Sequence, residues 1–315
     1  MLPIGRYVMK HIVSVFILVV AVLVAGQHAV HAEPVFAVDV NNTLLRFDSS
    51  QPGVVTTIGA ITGLQAGEQI LGIDFRPASQ LTALYGLGSG NNVYLINTFT
   101  GAATAVTGGA AFALNGGAFG VDFNPVPDRI RVISDADQSL RLNPNNGALA
   151  GTDTPVAYAA GDSNAGANPN IVGAAYTNSA GPTATATTLF DIDSNLDILV
   201  RQGGPVVPPG QSPNLGVLNT IGALGVDTSD LVGFDISGNS GLAFASLTLS
   251  DGFSDLYTID LATGAATLIG DIGDGSLAIR GIAVSAVPEP GTIVLFGCGI
   301  AGLLGYGWRR RRHTV

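Results

Sequence analysis

Three aspartates stand at one position of a repeated strand and are the residues best placed for acid–base chemistry. Each follows a glycine by two places: Asp74 in Gly72-Ile73-Asp74-Phe75, Asp122 in Gly120-Val121-Asp122-Phe123 and Asp235 in Gly233-Phe234-Asp235-Ile236. Carboxylates from different units that meet on one axis offer a nucleophile and a proton donor, the pair that glycoside cleavage uses. That chemistry needs two environments that drive the carboxyl pKa values apart. Repetition at one structural position supplies equivalent environments instead, and two further copies of the motif carry Ala175 and Ala283. The preferred reading is structural, each Asp accepting hydrogen bonds from the backbone of the neighbouring unit. No catalytic residue is assigned.

Two other constellations invite a ligand. Asp191, Asp193, Asn195 and Asp197 place oxygens at alternate positions, as a calcium loop does. Leu196 stands where such a loop needs Gly for its sharp turn, and Gln202 where it needs a bidentate Glu. A hairpin turn accounts for the same residues, since Asn and Asp cap local backbone. The expectation is therefore no cofactor, with Ca2+ at this run as the alternative. Arg129, Arg131 and Arg141 lie close together in a chain poor in cations and are candidates for gripping a carboxylate or a uronic acid. The bland alternative pairs them with Asp128, Asp135 and Asp137 at the surface, where each pair contributes little.

Composition narrows the chemistry further. Between Glu33 and Pro290 there is no Lys, His, Cys or Trp, and seven arginines face 23 carboxylates, a balance of −16. Such a body repels nucleic acid and anionic membranes. Without those side chains it runs no Ser-His-Asp triad, thiolate nucleophile or Schiff base, and builds no His/Cys zinc site.

The elements that position these residues repeat. Five glycine-led strands begin at Gly72, Gly120, Gly173, Gly233 and Gly281, at spacings of 48, 53, 60 and 48. Between them run alternating strands ending in Asp/Asn turns, such as Leu256-Tyr257-Thr258-Ile259-Asp260. Short alternating strands with no helical period predict an all-β fold, and a period near 50 is the size of a propeller blade. The body opens with three strands, Val35–Val40, Leu44–Asp48 and Val54–Ile58, and closes with one, Ala278–Ser285. Together they make one blade, so five blades are expected, with the terminal strands paired to close the ring. A β-sandwich or jelly roll is the competing architecture. The third unit is lengthened by segments 161–169 and 203–213, read as loops.

Both ends read as addresses. Arg6 and Lys10 precede an apolar run from Ile12 to Ala25, and Val30-His31-Ala32 supplies small residues for cleavage after Ala32. At the other end, Pro288-Glu289-Pro290 leads into an apolar run from Thr292 to Trp308 and then Arg309-Arg310-Arg311-Arg312. That run would span ~26 Å as a helix, at the short end of what crosses a bilayer, with the arginines held on the cytoplasmic side. The organisation expected is a signal peptide over 1–32, a repeat domain over 33–287 and a sorting tail over 288–315.

The tail resembles the PEP-CTERM sorting signal, which implies processing by an exosortase, a membrane-embedded transpeptidase-like enzyme, in a Gram-negative host that makes exopolysaccharide. The body, most recognisably Gly120 to Val132, resembles a bacterial family of exported domains of unknown function over roughly residues 34–285. That resemblance supplies no reaction and no catalytic residues. The reading that follows is a non-enzymatic surface or matrix protein, an inner-membrane intermediate before release, with exosortase as partner and exopolysaccharide or another surface protein as ligand. The alternatives are an extracellular carbohydrate-active hydrolase or lyase using Asp, and a calcium-stabilised adhesin. Only Glu33 and Glu68 lie in the body besides the aspartates, which argues against the enzyme.

Overall fold

Each repeat alternates apolar and polar residues over four to six positions, and Gly, Asn or Asp closes its turns, so it folds as a meander of antiparallel strands. The computed structural model describes residues 32–109, 111–204 and 212–285, and these form five separate sheets. Blade I comprises β4 (Ile70–Phe75), β5 (Leu84–Gly88), β6 (Asn92–Ile96) and β7 (Ala103–Val106). Blade II comprises β8 (Phe119–Asn124), β9 (Arg129–Ser134), β10 (Ser139–Leu142) and β11 (Leu149–Thr152). Blade III holds β13 (Ile171–Tyr176), β14 (Leu189–Asp193), β15 (Ile198–Gln202) and β16 (Val217–Ala223). Blade IV holds β17 (Val232–Ile236), β18 (Ala243–Thr248), β19 (Ser254–Ile259) and β20 (Ala266–Asp271).

Blade V is built from both ends of the body. Its inner strand is β21 (Ile279–Val284), followed outward by β1 (Pro34–Asp39), β2 (Thr43–Asp48) and β3 (Gln51–Ala60). Val35 pairs with Val284, Ala37 with Ile282 and Val38 with Gly281, and the Ser285 amide donates to the Pro34 carbonyl at 2.9 Å. The expected five-bladed ring, closed by its terminal strands, is the fold observed. One element departs from it: β12 (Ala157–Tyr158) adds a parallel edge to β16, making blade III five-stranded.

The faces of adjacent blades pack on each other through apolar clusters. Ala37, Phe47, Phe244 and Ile282 fill the junction of blades IV and V, and Tyr85, Phe119, Val132 and Leu142 that of blades I and II. Burying each large side chain contributes ~1.5–3 kcal/mol. At three of the five leading glycines, Gly72, Gly120 and Gly233, the inner strands leave no room for a Cβ. A Cβ on Gly120 would lie 2.7 Å from the Ala174 amide nitrogen, and one on Gly233 would lie 2.6 Å from that of Ile282. This is why glycine leads the repeat. Residues 1–31 and 286–315, where most of the expected signal peptide (1–32) and the expected sorting tail (288–315) fall, lie outside the described residues.

Candidate functional site

The inner strands carry Asp74, Asp122 and Asp235 to the axis from blades I, II and IV, and all three are buried. One oxygen of each lies within 4.8 Å of the others. Asp74 Oδ2 accepts the Phe123 amide at 2.7 Å, Asp122 Oδ1 the Tyr176 amide at 3.1 Å and Asp235 Oδ2 the Val284 amide at 2.6 Å. Each acceptor thus reaches the inner strand of the next blade, one residue beyond the homologous motif position. Where Ala175 and Ala283 replace the Asp, the side chain packs into an apolar cluster instead. The three carboxylates are latches between blades.

Burial, then mutual repulsion, drives the Asp74 and Asp122 carboxyls well above the ordinary range. Burial also lifts Asp235, to about 6, with the amides of Val284 and Ile236 opposing. The trio can share a proton, or a cation at calcium–oxygen distances of ~2.3–2.6 Å. It presents no solvated carboxylate to a substrate.

The run Asp191, Asp193, Asn195 and Asp197 is split between strand and turn. Asp193 Oδ1 caps the Asn195 and Leu196 amides at 3.0 and 3.1 Å, and its Oδ2 accepts the Tyr158 hydroxyl at 2.5 Å. Asp197 takes up a left-handed φ of 52° and accepts the Thr228 amide at 2.9 Å, while Asn195 is exposed. Asp191 is fully buried with neither oxygen hydrogen-bonded, and burial holds its carboxyl well above the usual range. Among the described residues, the acidic oxygens that converge are those of the channel trio and not these.

Of the three candidate arginines, Arg131 and Arg141 are cross-strand partners that share Asp153, and Arg129 stands apart. Arg131 is buried between blades II and III. It donates to Tyr176 Oη at 3.1 Å, Ser139 Oγ at 2.9 Å, Asp153 Oδ2 at 2.5 Å and Asn214 Oδ1 at 2.6 Å. Arg141 pairs with the other oxygen of Asp153 at 2.8 Å. Arg129 bonds the carbonyls of Pro127 and Asp128 in its own turn. Asp128 instead pairs with Arg76 of blade I. Arg131 and Arg141 fasten strands through Asp153 rather than the nearby acids that the sequence suggested, and Arg129 fastens only its own turn. Ala32 is exposed and its neighbour Glu33 is buried; Pro288, Glu289, Pro290 and Arg309 to Arg312 lie outside the described residues.

The cation that sequence reasoning passed over is Arg280. A cavity of about 330 Å³ opens at the mouth of the channel, lined by Leu71, Phe119, Val172, Val232 and Arg280 with Asp135 and Asp230 beside them. The first five precede the five inner-strand glycines, one from each blade. Four are apolar and one is an arginine, a break in the repeat that is visible once the motifs are aligned.

A family model for "Domain of unknown function (DUF4394)" matches residues 43–283. The chain belongs to this family. The DUF4394 region runs from β2 to β21 and so contains the channel trio, the Arg131 bracket and Arg280. A second model, the PEP-CTERM protein-sorting motif, matches residues 286–312, immediately after the DUF4394 region. It indicates export and membrane-associated sorting in Gram-negative bacteria. No curated protein matches the chain. Among solved structures, TolB from Acinetobacter baumannii is similar at 14% identity and a TM-score of 0.41, over 76% of this chain and 53% of that one. The dihydro-heme d1 dehydrogenase NirN is similar at 12% identity and a TM-score of 0.36, over 80% of this chain and 46% of that one. The DUF4394 protein spans about half the length of each.

Proposed function

We propose that this is an exosortase-processed surface or matrix protein whose propeller is a non-enzymatic module that binds polymer or another surface protein. The observation that carries the binding reading is the commitment of Asp74, Asp122 and Asp235 to backbone amides of neighbouring blades. A hydrolase needs an accessible carboxylate pair held in unequal states, and the axis instead holds three buried ones that join the ring. The sorting motif over 286–312 supports delivery to the envelope exterior. Rigid inter-blade packing with an exposed, asymmetric channel mouth is the form a binding module takes. The test is fractionation of host cells with and without a functional exosortase, together with retention of the released protein on extracellular polymer. The reading expects release to the surface or matrix only with exosortase, and retention there. Release that ignores exosortase, or a matrix that does not hold the protein, would overturn it.

A further inference from the structure

We propose that the channel mouth binds one carboxylated sugar residue, a uronate, with Arg280 taking its carboxylate. The inference rests on the binding-module reading and names the ligand class for it. Seven arginines serve the body, and three of them, Arg76, Arg131 and Arg141, are ion-paired with aspartates. Arg280 has no carboxylate within ion-pairing distance among the described residues. It donates Nη1 to the Ile70 carbonyl at 3.0 Å and Nη2 to the Val40 carbonyl at 3.3 Å. A guanidinium has five donors in a planar fork, so three remain for a ligand. Burial lowers its pKa, with Asp39 only partly opposing. An incoming carboxylate would relieve that cost through a charge-assisted, bidentate contact.

The rest of the cavity matches a sugar ring. Leu71, Phe119, Val172 and Val232 supply an apolar wall for the C–H face of a pyranose. Asp135 is fixed by the amides of Gly117, at 2.9 and 3.1 Å, and Ala118, at 3.2 Å. Asp230 Oδ1 is held by Asn170 Nδ2 and Ser194 Oγ, both at 2.7 Å. Carboxylates oriented in this way accept hydroxyl hydrogens. They also disfavour a phosphate dianion, whose second charge would meet them. The volume of about 330 Å³ lies at the low end for ligand sites, ~300–1,000 Å³. The floor narrows at the glycine ring to a void of about 10 Å³, room for about one water, so the ligand stops at the mouth. One cation flanked by two acceptor carboxylates selects a single acid on a hydroxylated ring.

The experiment is calorimetric titration of the full-length chain in detergent with glucuronate, glucose and inorganic phosphate at physiological salt. Arg280→Leu and Arg280→Lys serve as variants, with melting temperature as the folding control. Four sister positions already carry apolar residues, so Arg280→Leu is expected to fold. Glucuronate should bind, glucose and phosphate at least tenfold more weakly, and Arg280→Leu should lose at least tenfold while Arg280→Lys keeps part of the affinity. Equal affinity for glucose and glucuronate overturns the assignment, as does wild-type affinity in a folded Arg280→Leu. Absence of glucuronate binding at tens of millimolar does the same. Retention of that non-binding protein on extracellular polymer would sink the uronate site alone and leave the binding module standing.

Discussion

The buried trio on the axis makes the stability of this protein rise as the medium becomes more acidic, against the usual trend of acid denaturation. The Asp235 carboxyl titrates at about 6 in the folded ring, whereas an unfolded Asp titrates at ~3.9. The folded state therefore holds the proton more tightly. The contribution is complete below the unfolded value and is lost as pH rises through the folded one. Across that window the difference is worth ~1.4 kcal/mol per pH unit, about 3 kcal/mol for Asp235. Asp74 and Asp122 are shifted in the same direction. Between pH 8 and pH 5, one unit below the folded value, about 1.4 kcal/mol of the Asp235 contribution is gained, which for a domain of this size is a melting-temperature change of about 3–6 °C. Thermal unfolding at pH 5, 6, 7 and 8 should show that rise toward pH 5. Surface charge repulsion acts in the same direction, so the series belongs at ~0.5 M salt, where exposed charges are screened and buried ones are not. Asp235→Asn keeps an oxygen for the Val284 amide and removes the ionisation, so its stability change between pH 8 and pH 5 should be smaller by about 1.4 kcal/mol. Stability that falls toward pH 5, or an Asp235→Asn slope equal to wild type, would refute the reasoning.

Other consequences follow from the packing. Gly233→Ala places a methyl against the Ile282 amide at 2.6 Å and should cost ~1–3 kcal/mol or more in denaturant unfolding. Arg131→Met strands its buried partners and should cost ~3–5 kcal/mol, while Arg129→Met, confined to one turn, should stay within ~0.5 kcal/mol. Deleting residues 33–60 removes three strands of blade V and exposes the edge of β21; circular dichroism should report loss of the whole ring, and a variant that melts cooperatively at the wild-type temperature would contradict the closure.

The ring was legible because its cause is local and repeated. A glycine every 48 to 60 residues marks where inner strands crowd, most tightly at Gly72, Gly120 and Gly233. The split terminal blade was legible because three strands at one end and one at the other have a single arrangement that leaves no edge. The latching role of the Asp trio was legible for the same reason, since three copies of one residue at one motif position meet the same backbone amide of the next blade. Arg131 was not, because its partners Asp153, Tyr176 and Asn214 come together only when blades II and III pack. Arg280 was not legible from clustering, because it stands alone in sequence at a position that is apolar in the other four blades. β12 escaped notice because two residues pairing in parallel leave no alternation to read.

The fate of the C-terminus tests exosortase sorting most directly. Mass spectrometry of protein recovered from the cell surface and matrix should find peptides through the β21 region and none containing Trp308, with the last residue at or before about Pro290 and a tail-bearing form only in the membrane fraction. Intact peptides through Arg309 to Arg312 in the surface or matrix protein would contradict it.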